Sequence, residues 1–494
     1  MFPSGRIVGN LQQKTAVRGR MGRETGSRRW AEDEFGVAAL GDVRRTRRLV
    51  AMATGAARRP SGKVSAVFDR ASDREGAYDL LESPHVKTEA IADGMFRAAA
   101  ARTRGADYAY VVIDGSSLSL TDGTGTKGFG RVGNNERGGI GLKVMTALAV
   151  SCDGGVPLGV VDQIYWARSA VVKAPYDGRQ ERNRQRPFED KEPAHFVHAA
   201  KAAMRRLERE GTRAWVVIDR EGDNREILLA LHRAGCLFTI RAGSDRVLWP
   251  RGSGSLRESL ADAEVIGTYE VHVGRNGKRA ARIAHVEVSA AQVTLRFECV
   301  GVLERDALRL YVVRLREVNA AADGLEWLLY TNAPVFSKEH AARIVESYRT
   351  RWRIEEFHRT WKRGECNVED AQLRSADAVI KWATILAAVA TRIERLKYLS
   401  RREPETPATT ELSPEEIEAL KLDQRQRMKP KCKKLPEVPT MAQATQWVAE
   451  LGGWIGLRNG PPGSSTLARG LERLGYLVEG MALARLRTPR ARPK

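Results

Sequence analysis

The 494-residue chain has few cysteines and no long apolar run, and each absence excludes a class of protein. Its five cysteines are scattered without any Cys-x-x-Cys spacing, so the pattern indicates neither a disulfide framework nor a zinc site. The most apolar run, Trp382–Thr391, is about ten residues long, which is too short to span a bilayer. The N-terminal residues are polar and basic and do not resemble a signal peptide. We therefore expect a protein of the reducing cytoplasm.

The sequence also lacks an internal repeat and a Walker-type glycine loop for phosphate. What it has instead is positive charge, with a net charge of +21 at pH 7. Such an excess favours a polyanionic partner, and nucleic acid before a membrane surface. Charge alone leaves open the alternative that the arginine count reflects codon bias. Hydrophobic residues make up 42% of the chain, which is enough for several domain cores.

Changes in composition and periodicity divide the chain into five segments. We expect a disordered basic arm (1–28), a helical DNA-binding domain (29–90), an α/β domain (91–400), a linker rich in Pro and Lys (401–440) and a helical C-terminal domain (441–494). Within the α/β domain, short strands and turns predict a β-rich insertion at about 243–325. An arginine-rich loop at 178–186 has no assigned role.

The helical module near the N-terminus carries a basic cluster. Short helices, turn signals and clustered arginines are typical of small DNA-binding modules. The cluster, which we expect to contact phosphates, is Arg44, Arg45, Arg47 and Arg48. Taken singly, each of these arginines could equally belong to a solvated helix face.

Two strands of the α/β domain end in the same four residues, Val-Val-Ile-Asp. The aspartates are Asp114 and Asp219. Functional groups in α/β proteins collect beyond the carboxyl ends of the strands, so two such carboxylates could converge. Strand-end aspartates are also common turn caps, and Asp122 and Asp223 are close alternatives. We prefer the first pair because each directly follows an apolar run.

A stretch without Gly or Pro, Tyr348–Lys362, predicts one continuous helix. On such a helix Tyr348, Arg351, Glu355 and Lys362 fall within an arc of roughly 60°. The cations suit phosphate oxygens, and the carboxylate suits a hard metal ion. Glu355 could join the two aspartates, and three carboxylates can hold two divalent cations for displacement at phosphorus. A solvated face with ion pairs is the alternative.

The spacing Tyr348-x₂-Arg351-x₃-Glu355-x₆-Lys362 resembles the signature of the DDE cut-and-paste transposases of the IS-four family. The likeness covers most of the chain, because further motifs occur in the same order. They are Ala38-Ala-Leu-Gly-Asp-Val-Arg-Arg-Thr-Arg-Arg-Leu-Val, Glu75-Gly-Ala-Tyr, Asp114-Gly-Ser-Ser-Leu-Ser, Asp219-Arg-Glu-Gly-Asp, Trp327-Leu-Leu-Tyr-Thr and Arg351-Trp-Arg-Ile-Glu-Glu-Phe-His. Several motifs in order are more specific than any one of them.

The resemblance implies a ribonuclease H-like catalytic core interrupted by the β-rich insertion. It implies that Asp114, Asp219 and Glu355 form the catalytic metal-binding triad for two Mg²⁺ ions, with Mn²⁺ as a substitute. Tyr348, Arg351 and Lys362 would hold a phosphate at the transposon end, and Trp327 would stack on a flipped-out base. The other residues implied to contact DNA are Arg220, Arg241 and Trp352. The basic arm, the 178–186 loop and the linker depart from the family pattern.

The function implied is a DNA transposase that cuts transposon ends, by way of a hairpin, and joins them to target DNA. Similar enzymes act as homodimers on double-stranded DNA, with the C-terminal helices, about 441–486 here, forming the dimer contact. We expect localisation to the cytoplasm, on the nucleoid, with no membrane partner. Two alternatives remain: a ribonuclease H-fold endonuclease without strand transfer, and a non-catalytic DNA-binding derivative of a transposase.

Overall fold

The computed structural model describes residues 26–133, 139–168, 186–250, 252–274, 280–298, 305–319, 324–427, 435–456, 458 and 460–487. The arginine-rich loop expected at 178–186 lies outside these ranges except for its last residue, and so does the basic arm up to residue 25. Gly26 begins the first helix, so the arm ends slightly earlier than expected. In the part of the chain that is described, no helix is long and apolar enough to cross a membrane.

The architecture is a ten-stranded mixed sheet covered by helices. The strands are β1 (Tyr108–Ser119), β2 (Gly130–Arg131), β3 (Ile140–Ser151), β4 (Pro157–Trp166), β5 (Arg213–Ile218), β6 (Leu237–Arg241), β7 (Val265–Val273), β8 (Arg282–Glu298), β9 (Arg305–Glu317) and β10 (Glu326–Thr331). Their order is β2-β3-β1-β5-β6-β10-β9-β8-β7, with β4 also pairing with β3. The pairs β1–β5 and β5–β6 are parallel and the others are antiparallel.

The helices surround the sheet. They are α1 (Gly26–Phe35), α2 (Val43–Arg58), α3 (Val64–Val67), α4 (Ala71–Glu82), α5 (Thr88–Ala101), α6 (Ala194–Glu208), α7 (Arg225–Arg233), α8 (Lys338–Arg349), α9 (Trp352–Lys362), α10 (Ala376–Arg402), α11 (Pro414–Arg427), α12 (Met441–Leu451) and α13 (Ser464–Arg487). The mixed α/β class predicted from alternating strand and helix signals is confirmed.

The central strands are buried on both faces, and alternate residues point into different cores. In β1, Val111 belongs to the core under α6 and α7, whereas Val112 belongs to the core under α9 and α10. In β5, Val216 and Val217 alternate in the same way. This period of two is expected of a strand, and it fixes which face each later residue in the strand occupies.

Helix α10 is the buried axis of the helical layer. Its first turn is capped by Ser375, whose hydroxyl accepts from the backbone N–H of Ala378. Almost every side chain from Ala378 to Leu399 is buried, including several charged ones. These charges are paired: Arg392 contacts Glu416 at 2.9 Å, for example. A buried charge is tolerated in this way only when a partner compensates its lost hydration.

The segment predicted as a β-rich insertion, about 243–325, forms the strands β7, β8 and β9. These strands extend the central sheet, because all of β10 pairs with residues 311–316 of β9. Its longest strand, β8, runs without a break from Arg282 to Glu298. The middle residues of β8, Ser289–Val293, contain neither Gly nor Pro, so nothing in the backbone interrupts the ladder with β9.

The segment expected to be a linker, 401–440, also differs from expectation. It contains α11, whose Glu416, Ile417 and Leu420 are buried. Glu416 accepts hydrogen bonds from Arg392 of α10 and from the hydroxyl of Ser27 of α1. These contacts tie the segment to two other helices, so residues 414–427 are part of the folded body. The C-terminal helices α12 and α13 pack on each other, and α10 contacts both.

Candidate active site

Asp114 and Asp219 lie side by side on neighbouring parallel strands, Asp114 within β1 and Asp219 directly after the last residue of β5. The register of β1 with β5 pairs Val112 with Val217, and each aspartate is two residues further along its strand direction. Since adjacent strands are about 4.8 Å apart, the two carboxylates are close neighbours. Alternation places both on the face covered by α9 and α10. The sequence predicted that both aspartates end their strands, which is correct for Asp219 and wrong for Asp114, because β1 continues past Asp114 to Ser119 and pairs there with β3.

The two aspartates differ in their surroundings. Asp219 caps the short 3₁₀ turn after β5, since one carboxylate oxygen accepts from the backbone N–H of Glu221 at 2.8 Å. Asp114 is more enclosed, and its pKa is raised from 3.8 to about 7. Burial is the main cause, the charge of Asp219 adds to it, and Arg351 acts in the opposite direction. Smaller contributions from Glu221 and Glu355 show that four carboxyl groups share this region.

Glu355 approaches from the first turn of α9, but a cation already holds it. Arg351 Nη2 lies 2.6 Å from Glu355 Oε1. The Arg351 side chain is only 12% exposed, and its buried Nε has no hydrogen-bond partner. Its guanidinium also lies 4.9 Å from the ring centroid of Trp352. Among the described residues, no three His, Cys, Asp or Glu side chains converge closely enough to form a ready-made metal site.

The single helix predicted over Tyr348–Lys362 is wrong, because the structure breaks it in two. Helix α8 ends at Arg349 and α9 begins at Trp352. At the break, the N–H of Arg351 bonds to the carbonyl of Tyr348, three residues back, and the Thr350 hydroxyl donates to Ser347 O. This tightened turn still leaves Arg351 beside both Glu355 and Tyr348, so the polar face survives the break.

Lys362 ends α9 close to the strand that carries Asp114. Its ammonium donates to Ser116 Oγ at 3.1 Å and lies 3.8 Å from Glu369. Burial lowers the pKa of Lys362, while Glu369 and, to a smaller extent, Asp114 raise it. The cation is therefore positioned beside the carboxylates rather than extended into solvent.

Tyr348 and Trp327 form a buried aromatic contact. Trp327, in β10, is 8% exposed, and its ring meets that of Tyr348 edge-on at 5.0 Å. Burial raises the pKa of Tyr348, and the neighbouring Arg351 and Arg241 lower it. Trp352, in contrast, is 52% exposed at the start of α9. Trp352 is therefore the accessible indole of the site, and Trp327 is covered.

The remaining predicted DNA-binding residues lie in two other places. Arg220 and Arg241 line one surface pocket together with Arg257, next to the end of β5. The cluster of the N-terminal module lies on α2, where Arg44 is exposed, Arg45 donates to Leu40 O and Arg48 lies 3.9 Å from Asp73. Arg47 and Arg48 are exposed like Arg44, whereas Arg45 is half-buried.

Sequence reasoning missed two side chains that approach the aspartates. Glu221 directly follows Arg220 and contributes to the raised pKa of Asp114. His358 is buried in α9 with its Nδ1 3.7 Å from Asp114 Oδ2, and burial lowers its pKa to about 3. His358 is three residues after Glu355, so the helical period places both on one side of the helix. That signal was present in the sequence.

Comparison with protein families gives two matches, in the N-terminal module and in the α/β domain. Residues 27–86 match the transposase DNA-binding family, and residues 193–392 match the transposase DDE domain. The second match includes Asp219 and Glu355, whereas Asp114 precedes it. The two matches cover different parts of the chain, and together they span slightly more than half of it. The chain thus carries the DNA-binding domain and the DDE domain of a transposase, which supports its membership of a DDE transposase family.

Proposed function

We propose that this protein is a cut-and-paste transposase of the IS-four type with a ribonuclease H-like core, which cleaves transposon ends and joins them to target DNA. The observation that carries the proposal is the side-by-side position of Asp114 and Asp219 under the helix that bears Glu355. Two of these three acids fall within the segment that matches the transposase DDE domain. Their assignment as the catalytic triad is part of the proposal.

The three acids have the donor chemistry of a divalent-cation site. Mg²⁺ and Mn²⁺ prefer carboxylate oxygens, and the raised pKa of Asp114 reflects burial and like-charge repulsion, which a bound cation would relieve. Asp114, Asp219 and Glu355 would hold two Mg²⁺ ions, with Mn²⁺ as a substitute, once Glu355 separates from Arg351. Such ions supply the positive charge that stabilises an in-line displacement at phosphorus.

The cations around the acids suit the DNA strand that would be cut. Arg351 and Lys362 stand on either side of Glu355 along α9, and both are held close to the carboxylates. A guanidinium binds phosphate oxygens through two parallel hydrogen bonds, and an ammonium acts as a point charge. We assign these two residues and the Tyr348 hydroxyl to a phosphate at the transposon end, with Arg220 and Arg241 contacting the adjacent backbone.

The two tryptophans near the site would serve different purposes. Trp352 is exposed and can contact DNA without rearrangement. Trp327 can stack on a flipped-out base only if the Tyr348 ring moves away from it. Stacking on an indole would offset part of the cost of extruding the base.

Arginines of α2 would give the N-terminal module its contacts with the phosphate backbone, and Arg44 and Arg48 among them are exposed. Residues 27–86 match a transposase DNA-binding family, and we propose Arg44, Arg45 and Arg48 as its phosphate-contacting residues. A homodimer assembled through the C-terminal helices would hold two DNA ends together, in the cytoplasm on nucleoid DNA. In that arrangement each protomer binds one end and cuts the other.

The proposed reaction begins with hydrolysis of one strand at the transposon end, which leaves a 3′ hydroxyl. That hydroxyl attacks the opposite strand to form a hairpin, water reopens the hairpin, and the freed 3′ end attacks target DNA. Purified protein, paired end DNA and Mg²⁺ test this course. We expect nicked, hairpin and joined products from the parent protein, and none from Asp114→Ala, Asp219→Ala or Glu355→Ala.

The product pattern distinguishes the proposal from its alternatives. Cutting without hairpins or joined products would identify a nuclease. Binding of DNA without any cutting would identify a non-catalytic derivative. Cleavage by all three variants at the parent rate would disprove the triad.

A further inference from the structure

A chain of buried polar side chains leads from β4 to Asp114. The Tyr165 hydroxyl donates to Gln163 Oε1 at 2.9 Å, and Gln163 Nε2 donates to Thr146 Oγ1 at 3.1 Å. Thr146 Oγ1 lies 3.3 Å from Nε2 of His358. Nδ1 of the same imidazole lies 3.7 Å from Asp114 Oδ2. Thr146 also lies directly opposite Asp114 in the β1–β3 ladder.

The hydrogen-bond partners of Gln163 and Thr146 bear on which ring nitrogen of His358 carries the proton. Because the Tyr165 hydroxyl donates to Oε1, the amide of Gln163 presents its NH₂ group to Thr146. The Thr146 oxygen accepts there, which leaves its single hydrogen free to donate to His358 Nε2. A neutral imidazole that accepts at one nitrogen carries its hydrogen on the other. If His358 instead carried its hydrogen on Nε2, the lone pair of Nδ1 would face the negatively charged carboxylate of Asp114.

We propose that His358 is a positioning residue, held as the Nδ1–H tautomer by Thr146 and Gln163, that donates to Asp114 and fixes the orientation of its carboxylate. At 3.7 Å the contact is longer than a hydrogen bond. Hydrogen bonds at reacting centres are often long in unliganded proteins and tighten in the complex. His358 does not touch DNA in this assignment and acts only through Asp114.

The consequence for the proposed function is a carboxylate that presents one defined oxygen to a cation. Groups that orient a ligating carboxylate or imidazole from behind typically change metal affinity about 10–100-fold when they are removed. This consequence rests on the proposed role of Asp114. The tautomer of His358 does not depend on that role, and it can be measured in protein without DNA or metal.

The first experiment is ¹⁵N NMR of the full chain labelled only at histidine, at pH 8. The protein has eight histidines, and the signals missing from His358→Asn assign those of His358. We expect a protonated Nδ1 and an unprotonated Nε2. In Thr146→Val the hydrogen donor to Nε2 is lost, so the signal of the unprotonated Nε2 should move downfield, whereas Thr146→Ser should retain the parent position. A protonated Nε2 in the parent, or an Nε2 signal in Thr146→Val at the parent position, would overturn the proposal.

The second experiment measures Mn²⁺ binding by calorimetry. His358→Leu removes the donor and should bind Mn²⁺ about 10–100-fold more weakly than the parent. His358→Asn restores an amide N–H near the position of Nδ1 and should recover most of that loss. Equal losses in both variants, or none in either, would refute the positioning role. If the parent shows the expected tautomer but never cuts DNA, the proposed function fails while the hydrogen-bond assignment stands.

Discussion

The guanidinium of Arg351 holds the carboxylate of Glu355 at 2.6 Å, so a candidate phosphate ligand is paired with a candidate metal ligand. Neither can perform its proposed role while the pair is closed. A DNA phosphate that draws Arg351 away would leave Glu355 free to join Asp114 and Asp219. Under the proposed function, the pair would couple DNA binding to completion of the metal site.

Replacing Arg351 should separate the two roles. In Arg351→Gln, Glu355 loses its cationic partner, and we expect DNA-free protein to bind Mn²⁺ more tightly, on the order of tenfold. The same variant should bind transposon-end DNA more weakly, because a phosphate contact is lost. Calorimetry with Mn²⁺ and electrophoretic shift with end DNA measure the two effects.

The matched control for that substitution is Arg349→Gln. It removes the same charge from the preceding helix, where Arg349 pairs with Glu346 at 3.1 Å. Neither Mn²⁺ affinity nor end binding should change by more than a small factor. If Arg351→Gln leaves Mn²⁺ affinity at the parent value, the pair does not restrain Glu355.

The raised pKa of Asp114 makes the stability of the metal-free protein depend on pH. The folded-state pKa of about 7 exceeds the unfolded value near 3.8, so the folded protein binds the proton more tightly. The stabilisation from this group is therefore complete below about pH 4 and is lost as the pH rises through 7, by roughly 4 kcal/mol. Asp114→Asn, which cannot ionise, should melt at a higher temperature than the parent at pH 8.

Asp122→Asn provides the control for the pH effect. Asp122 is an exposed aspartate that accepts from Gly125 N and Lys127 N, and these backbone hydrogen bonds help to lower its pKa. Because the pKa of Asp122 is lowered in the folded protein, its ionised carboxylate stabilises the fold, and this stabilisation is lost as the pH falls. Asp122→Asn should therefore not stabilise the protein at pH 8. Differential scanning calorimetry of both variants at pH 5 and pH 8 distinguishes the contributions of Asp114 and Asp122 to stability. If Asp114→Asn melts at a lower temperature than the parent at pH 8, burial and repulsion do not make ionised Asp114 destabilising.

The sequence predicted the parts of the site that depend on local pattern. Apolar runs ending in aspartate identified the two strands, and their parallel pairing placed Asp114 beside Asp219, although β1 continues past Asp114 to Ser119. The polar chain behind Asp114 depends on contacts between β3, β4 and α9, which no local period encodes. Thr146 and Gln163 therefore looked like ordinary strand residues until the sheet register was known.

Two errors in the sequence-based prediction have physical causes that were not visible in composition. Residues 401–440 looked like a linker because they are rich in Pro and Lys, but Glu416 is buried against Arg392 of α10. The helix predicted through Tyr348–Lys362 contains no Gly or Pro. It breaks because the Thr350 hydroxyl and the Arg351 N–H take carbonyls three residues back.

The two tryptophans of the site should respond differently to truncation. Trp327 is packed against Tyr348 in the core, so Trp327→Ala should destabilise the DNA-free protein by about 3–5 kcal/mol. Trp352 is half-exposed, so Trp352→Ala should change stability little but weaken binding of end DNA. Thermal melting and DNA titration of both variants test the distinction. Equal melting temperatures for the parent and Trp327→Ala would mean that the Trp327 ring is not buried in solution.

The docking of α11 onto α10 can be tested through one buried carboxylate. Glu416→Ala leaves Arg392 buried without its partner and also removes the acceptor of Ser27, so we expect a loss of about 3–5 kcal/mol. Glu418→Ala, on the same helix, breaks an ion pair with Arg485 whose side chains are about half exposed. That loss should stay below about 1 kcal/mol. Urea unfolding of both variants gives the comparison, and equal midpoints for the two would show that α11 is the linker its composition suggested.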